Sequence, residues 1–198
     1  MRLYLIRHAQ TDSNLSQILD SAYPGAPLNP TGLAEAADLA DRLGDQPITA
    51  VFSSDIVRAV QTATPLAERL GVPVRQLPGL REITGGAHEG EIGYAGFIAD
   101  LAGWLTSPDA RITGGESAAE FVSRYDAAIA EIAATGHRVV AVVSHGAALR
   151  VWTPLRAANM TVGSGDRYRL GNTAVIVLDG DPQTGWRVQS WAGERLDR

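Results

Sequence analysis

Four apolar residues, Leu3-Tyr-Leu-Ile6, run straight into Arg7-His8, and polar turn residues follow as far as Asn14. A short buried strand that ends on a histidine sets the imidazole at the rim of a sheet, where ligands collect in open α/β folds. The run Arg138-Val-Val-Ala-Val-Val143 is apolar at every position after the arginine, as a central parallel strand requires, and it too ends on a histidine, in Ser144-His145-Gly146. Ile48–Phe52 and Val72–Leu77 predict two further short strands. Thr173–Leu178 and Trp186–Trp191 flank the turn residues 179–185 and predict a hairpin.

Helical spacing fills the intervals. Leu33, Ala36, Ala37, Ala40 and Leu43 recur on one face of a helix that Asn29 caps, Pro30 opens and Gly44 ends. Asp55 is placed to cap a second helix, which runs to about Leu70 with Gly71 at its end. Tyr94–Leu105 reads as helical, and Ser117-Ala-Ala-Glu120 has capping-box spacing for a helix to about Ala134. Another follows His145, from about Ala147 to Asn159, and Asn14–Asp20 suits a short helix. Residues 21–27, 78–93 and 107–115 read as loops. This alternation predicts an α/β fold, a three-layer α/β/α sandwich with a mainly parallel, doubly wound sheet and an antiparallel edge strand.

Composition narrows the chemistry. With 198 residues and no linker or repeat, the chain reads as one domain. A net charge of -5 gives no reason to expect a nucleic-acid or membrane partner, and four apolar residues before Arg7 are too few for a signal peptide, so a cytoplasmic location is expected. The chain has no cysteine and no lysine; all 17 basic residues are arginine. Thiolate nucleophiles, Schiff bases and a P-loop lysine are excluded, and any anion clamp must use arginine, histidine and backbone amides. The planar arginine fork matches phosphate oxygens in pairs.

His8 and His145 then share one setting: an apolar strand, a polar residue, the histidine, a small residue and a helix. Arg7 adjoins His8, and Arg58 lies one turn into the helix after Phe52-Ser-Ser-Asp55. Two imidazoles and two guanidiniums at equivalent ends, beside helix amides, make a site for a dianion such as a phosphoryl group. A neutral imidazole is a chemically reasonable nucleophile there, and nearby cations keep it unprotonated. Glu82, in the loop after the Val72–Leu77 strand, is the candidate proton donor to the leaving oxygen. His137 reads as a surface residue, and no direct role is assigned to His88.

Leu5-Ile-Arg7-His8-Ala-Gln-Thr11-Asp-Ser-Asn14 resembles the Arg-His-Gly motif of the histidine phosphatase superfamily, in its phosphoglycerate mutase-like branch. Ser53-Ser-Asp-Ile-Val-Arg58-Ala-Val-Gln-Thr62-Ala63, Leu80-Arg-Glu82-Ile83, Gly114-Gly-Glu116-Ser117 and Ser144-His145-Gly146 resemble its later motifs, in the family's order. Pro27-Leu-Asn-Pro-Thr-Gly32-Leu-Ala-Glu-Ala36 resembles the family's Leu-Thr…Gly…Ala segment, and Gly171-Asn172-Thr173-Ala-Val175 its closing strand. The resemblance implies His8 as the phosphorylated nucleophile, with His145, Arg7, Arg58, Asn14 and the Gly146 amide around the phosphoryl oxygens. It implies Glu82 as the acid and then the base for water, and no metal or other cofactor. Ala9 stands where the family most often has glycine, and residues 21–27 and 84–90 also depart from its pattern, which bears on specificity.

The family holds both phosphatases and phosphomutases. Only 31 residues separate Glu82 from Gly114, a short cap insertion around residues 83–113 that should leave a phosphohistidine open to water. The expected activity is hydrolysis of a small phosphorylated metabolite; the alternatives are a phosphoglycerate mutase-type phosphomutase and a non-catalytic phospho-ligand binder. Phe97, Leu101 and Trp104 share one face of the cap helix, which either lids the pocket or packs in the core. The C-terminal hairpin, with Trp186 and Trp191, offers an edge contact for a homodimer.

Overall fold

The computed structural model describes residues 1–196. Seven strands form one sheet in the order β3-β2-β4-β1-β5-β6-β7, with β1 Arg2–Arg7, β2 Ala50–Ser53, β3 Val74–Gln76 and β4 Val139–Ser144 on its parallel side. β5 Val175–Asp181, β6 Gly185–Trp191 and β7 Glu194–Arg195 run antiparallel, so the expected single edge strand is a three-stranded flank. The helices are α1 Asp12–Leu15, α2 Pro30–Leu43, α3 Val57–Leu70, α4 Ala95–Gly103, α5 Ala118–Ala134 and α6 Gly146–Arg156.

Period-two alternation divides the core. Leu3 and Leu5 of β1 and Val140 and Val142 of β4 join Phe121, Tyr125 and Trp152 from α5 and α6. Tyr4, Ile6, Ala141 and Val143 point the other way, to Leu39 of α2 and Ala63 and Leu66 of α3. Both faces of these central strands are therefore buried, as their unbroken apolar sequences require.

Several local expectations are corrected. The helix expected over Asn14–Asp20 is a single turn, α1, displaced toward the N-terminus because Thr11 caps it and Asn14 closes a capping box. Gln17, at φ 53°, prevents its continuation. In α2 the Asn29 cap and Pro30 start hold, but Leu33 is outward and Gly32 and Leu39 face in. Asp55 caps nothing: Ile56 is the N-cap of α3, and the Asp55 carboxylate instead accepts two hydrogen bonds from Arg81. Trp186 and Trp191 are buried in their own core, against Trp152 and Tyr168, and are not open for an edge contact. Among the described residues no helix is long and apolar enough to cross a membrane.

Candidate active site

Strand register builds the site. In the parallel β1/β4 pair Arg7 lies opposite Ser144, so the next residues, His8 and His145, stand side by side at the sheet rim. Their ring centroids are 5.3 Å apart. β2 ends beside β4 at Ser53↔Val143, which delivers the first turn of α3, and with it Arg58, to the same rim.

The two imidazoles are held in opposite tautomers. His8 Nδ1 lies 2.7 Å from the Ala9 carbonyl oxygen, which can only accept, so the ring proton sits on Nδ1 and Nε2 keeps its lone pair. His145 Nδ1 accepts from Arg58 Nη2 at 3.2 Å, which puts its proton on Nε2. Burial, then the Arg58 charge, hold both imidazoles well below the usual histidine pKa, so both are neutral at pH 7.

Arg58 is further fixed by the Asp20 carbonyl, 2.7 Å from Nη2, and by the Asp20 carboxylate, 3.5 Å from Nη1. Arg7 donates through Nη1 to the Leu170 carbonyl. Burial lowers the pKa of both guanidiniums, but arginine stays charged in proteins. Two buried donors of the site, Arg7 Nε and His145 Nε2, have no hydrogen-bond acceptor among the described residues, and Arg58 Nη1 has only the Asp20 carboxylate of its ion pair. An orphaned buried donor costs about 1–3 kcal/mol, so an anion that accepts from these donors is favoured.

Glu82 enters from the loop after β3. Its two oxygens accept from the backbone N–H groups of Ile83, Ala147 and Ala148, which anchors it over the first turn of α6. The Gly146 amide precedes those two, at the helix N-terminus. A Cβ at Gly146 would lie 3.2 Å from Arg7 Nε, so glycine lets the guanidinium pack against the helix start. Asn14 commits its side-chain oxygen to the Thr11 and Asn172 N–H groups, which leaves its NH2 to face the cavity.

The cavity has a volume of about 750 Å³. Arg7, His8, Asn14, Arg58, Glu82 and Gly146 line one end, and His145 lies behind them, fully buried. All seven residues singled out from the sequence therefore meet at one rim. Phe97, Leu101 and Trp104 are among the residues lining the cavity, and Phe97 lies in the core with Leu101 and Trp104 packed against it. His88 is not on the wall; it bonds Asp100 of α4 and Glu91. Among the described residues no three His, Asp or Glu side chains are grouped as a metal ion would need.

Supporting residues were not singled out in the sequence. The Thr62 hydroxyl accepts from Ala9 N–H and donates to the Arg58 carbonyl, which links the nucleophile's loop to α3. Asn172 donates to the His8 carbonyl. Arg124 donates to the carbonyls of Gly79, Arg81 and Glu82 and pairs with Glu116, so the Gly-Gly-Glu-Ser turn steadies the loop that carries Glu82. The Ala9 methyl packs against Leu28 and Ala36, which is why a Cβ is accommodated beside His8.

A family model of the histidine phosphatase superfamily (branch 1) matches residues 3–193. The chain is 30% identical over 200 residues to a probable phosphoglycerate mutase, GpmB, of Proteus mirabilis, covering 98% of this chain and 91% of that one. It is 30% identical over 208 residues to the PE-PGRS family protein PE_PGRS11 of Mycobacterium tuberculosis; the match covers 95% of this chain and spans only 36% of that protein. Among solved structures, mycobacterial glucosyl-3-phosphoglycerate phosphatase in complex with VO3 is similar, with a TM-score of 0.81 and 28% identity over 96% of this chain and 98% of that one.

Proposed function

Because this chain belongs to the histidine phosphatase superfamily, we propose that it hydrolyses phosphomonoesters through a phosphohistidine on His8. The observation that carries this reading is the pairing of tautomers. His8 keeps a bare Nε2 beside the buried Arg58 guanidinium and beside His145, whose Nε2–H, like the Arg7 Nε–H, has no acceptor among the described residues.

In the first step the His8 Nε2 lone pair forms the P–N bond as the bond from phosphorus to the ester oxygen breaks. Arg7, Arg58, His145, the Asn14 NH2 group and the Gly146 amide receive the phosphoryl oxygens, whose charge spreads in the transition state. Protonated Glu82 gives its proton to the departing alcohol oxygen. In the second step Glu82, now a carboxylate, takes a proton from water as that water attacks phosphorus and the P–N bond breaks. The products are the alcohol and inorganic phosphate, and the enzyme regains its starting protonation. We read the chain as a single domain acting in the cytoplasm on a small phosphorylated metabolite, with the segment of residues 83–113 as its cap.

A phosphomutase would share the first step and pass the phosphoryl group to a second substrate; similarity to the probable phosphoglycerate mutase of Proteus mirabilis keeps this reading alive. The cavity is open to solvent, since Ile98, Leu105 and Val162 on its wall are each more than half exposed, so water can reach a phosphohistidine there. Turnover of p-nitrophenyl phosphate, with its loss in His8→Ala, and an acid-labile phosphate trapped in a single turnover are the expected results. An acid-stable phosphoester would overturn the nucleophile assignment. Faster discharge of the trapped phosphoenzyme by 3-phosphoglycerate than by water would favour the mutase.

A further inference from the structure

The phosphoryl group fills only one end of the cavity. From there the wall follows α6: Gly146, Arg150, Val151 and Leu155 all line it. At 1.5 Å per residue, Gly146 to Leu155 spans roughly 13 Å. Also on the wall are Leu101 of α4, Trp104 just after it and Val122 of α5. The polar side chains on this part of the wall are few. They are Arg150, whose charge bears on Arg7, Tyr94, the Trp104 indole N–H, and Thr106 and Ser107 at the edge of the cap; the Arg150 Nε and Trp104 Nε1 donors have no partner among the described residues. The apolar wall continues to the surface, because Ile98, Leu105 and Val162 line the mouth while more than half exposed.

A polyol or a carboxylate would lose its hydration here and find few groups to replace it, whereas an apolar group gains by burial. We infer that the alcohol part of the substrate is large and apolar, a long-chain, branched or ring hydrocarbon that lies along α6 beneath α4. The inference rests on the phosphomonoesterase reading and narrows it. It separates this chain from its glucosyl-3-phosphoglycerate phosphatase neighbour, whose name specifies a polar substrate.

Alkylphosphonates from methyl to decyl test this, since their C–P bond resists hydrolysis and binding is read without turnover. Affinity, measured by calorimetry, should rise about fourfold per methylene until the cavity is filled, the gain expected from burying each CH2. In Leu101→Gln the rise per methylene should flatten. Decyl phosphate and 1-naphthyl phosphate should exceed phosphoserine and 3-phosphoglycerate in kcat/KM by at least about a hundredfold. A flat phosphonate series, or equal turnover of polar and apolar esters, would overturn the inference while leaving the phosphatase reading intact. A rising series in a protein that turns over no ester would overturn the phosphatase reading instead.

Discussion

Arg58 Nη2 donates to His145 Nδ1 at 3.2 Å, and this one bond orients the second imidazole. Without it His145 could present either nitrogen to the substrate; with it, Nε2–H must point into the site. His8 is set the opposite way by the Ala9 carbonyl. Long-range 1H–15N correlation spectra at neutral pH should show His8 protonated at Nδ1 and His145 at Nε2. Arg58→Met should leave His145 as a tautomer mixture. It should also cut kcat by about 10²–10³, the usual cost of removing a preorganised donor from an anionic transition state. The same tautomer on both rings would sink the assignment of nucleophile and donor.

In phosphoenzyme formation Glu82 matters only where the leaving oxygen needs a proton. Glu82→Gln should slow phosphoenzyme formation from an alkyl phosphate by about 10²–10⁴, and from p-nitrophenyl phosphate far less, because nitrophenolate leaves unaided. Arg124 touches no substrate but holds three carbonyls of the Glu82 loop. Arg124→Met should show the same leaving-group bias in weaker form, roughly tenfold for the alkyl ester. Rates measured across a series of leaving groups separate this from a general loss of structure, which would slow every ester alike.

The histidines, Arg7 and Arg58 were legible because each lies just beyond an apolar strand, and parallel pairing aligns strand ends. The parallel pairing of β1 with β4, which the structure supplies, then brings His8 beside His145 through the register. Asp55 was misread because its partner, Arg81, lies 26 residues on, and a bidentate guanidinium outcompetes a local cap. Thr62 and Asn172 lie inside matched motifs but Arg124 in none, and the motifs gave none of the three a role, because each acts through a backbone group distant in sequence. The burial of Trp186 and Trp191 likewise depends on contacts with α6 and with Tyr168 rather than on the hairpin itself.

Gly32 has a role that its helix position hides. It sits in the first turn of α2, buried, and a Cβ there would overlap the carbonyl oxygen of Gln10, two residues after His8. Gly32→Ala should therefore destabilise the fold by about 1–3 kcal/mol, as overpacking does elsewhere, despite alanine's better helix propensity. The melting temperature should fall by about 2–4 °C per kcal/mol for a chain of this size. kcat should drop too, since the loop from His8 to Asn14 must shift. A melting point equal to or above that of the wild type would show that α2 yields without disturbing the loop.

Acid should unfold this protein through its two active-site histidines. In the native state both pKa values lie well below 6.5, chiefly through burial and then through Arg58. In the unfolded chain both return to about 6.5. Below that pH the unfolded state therefore binds more protons than the native state, so stability rises with pH across the interval between the native and unfolded values. It should be full above about pH 7.5 and fall as the pH drops through 6.5. The limiting slope is about 1.4 kcal/mol per pH unit for each histidine. Urea unfolding at pH 7.5, 6.5 and 5.5 reads this directly. His145→Gln should remove about half of the loss between the last two points, whatever its own stability at pH 7.5. Inorganic phosphate reverses the sign locally, because a bound dianion favours protonated imidazole. Saturating phosphate should thus shrink the acid loss in the wild type, and a loss unchanged by both the substitution and the anion would mean that other groups carry it.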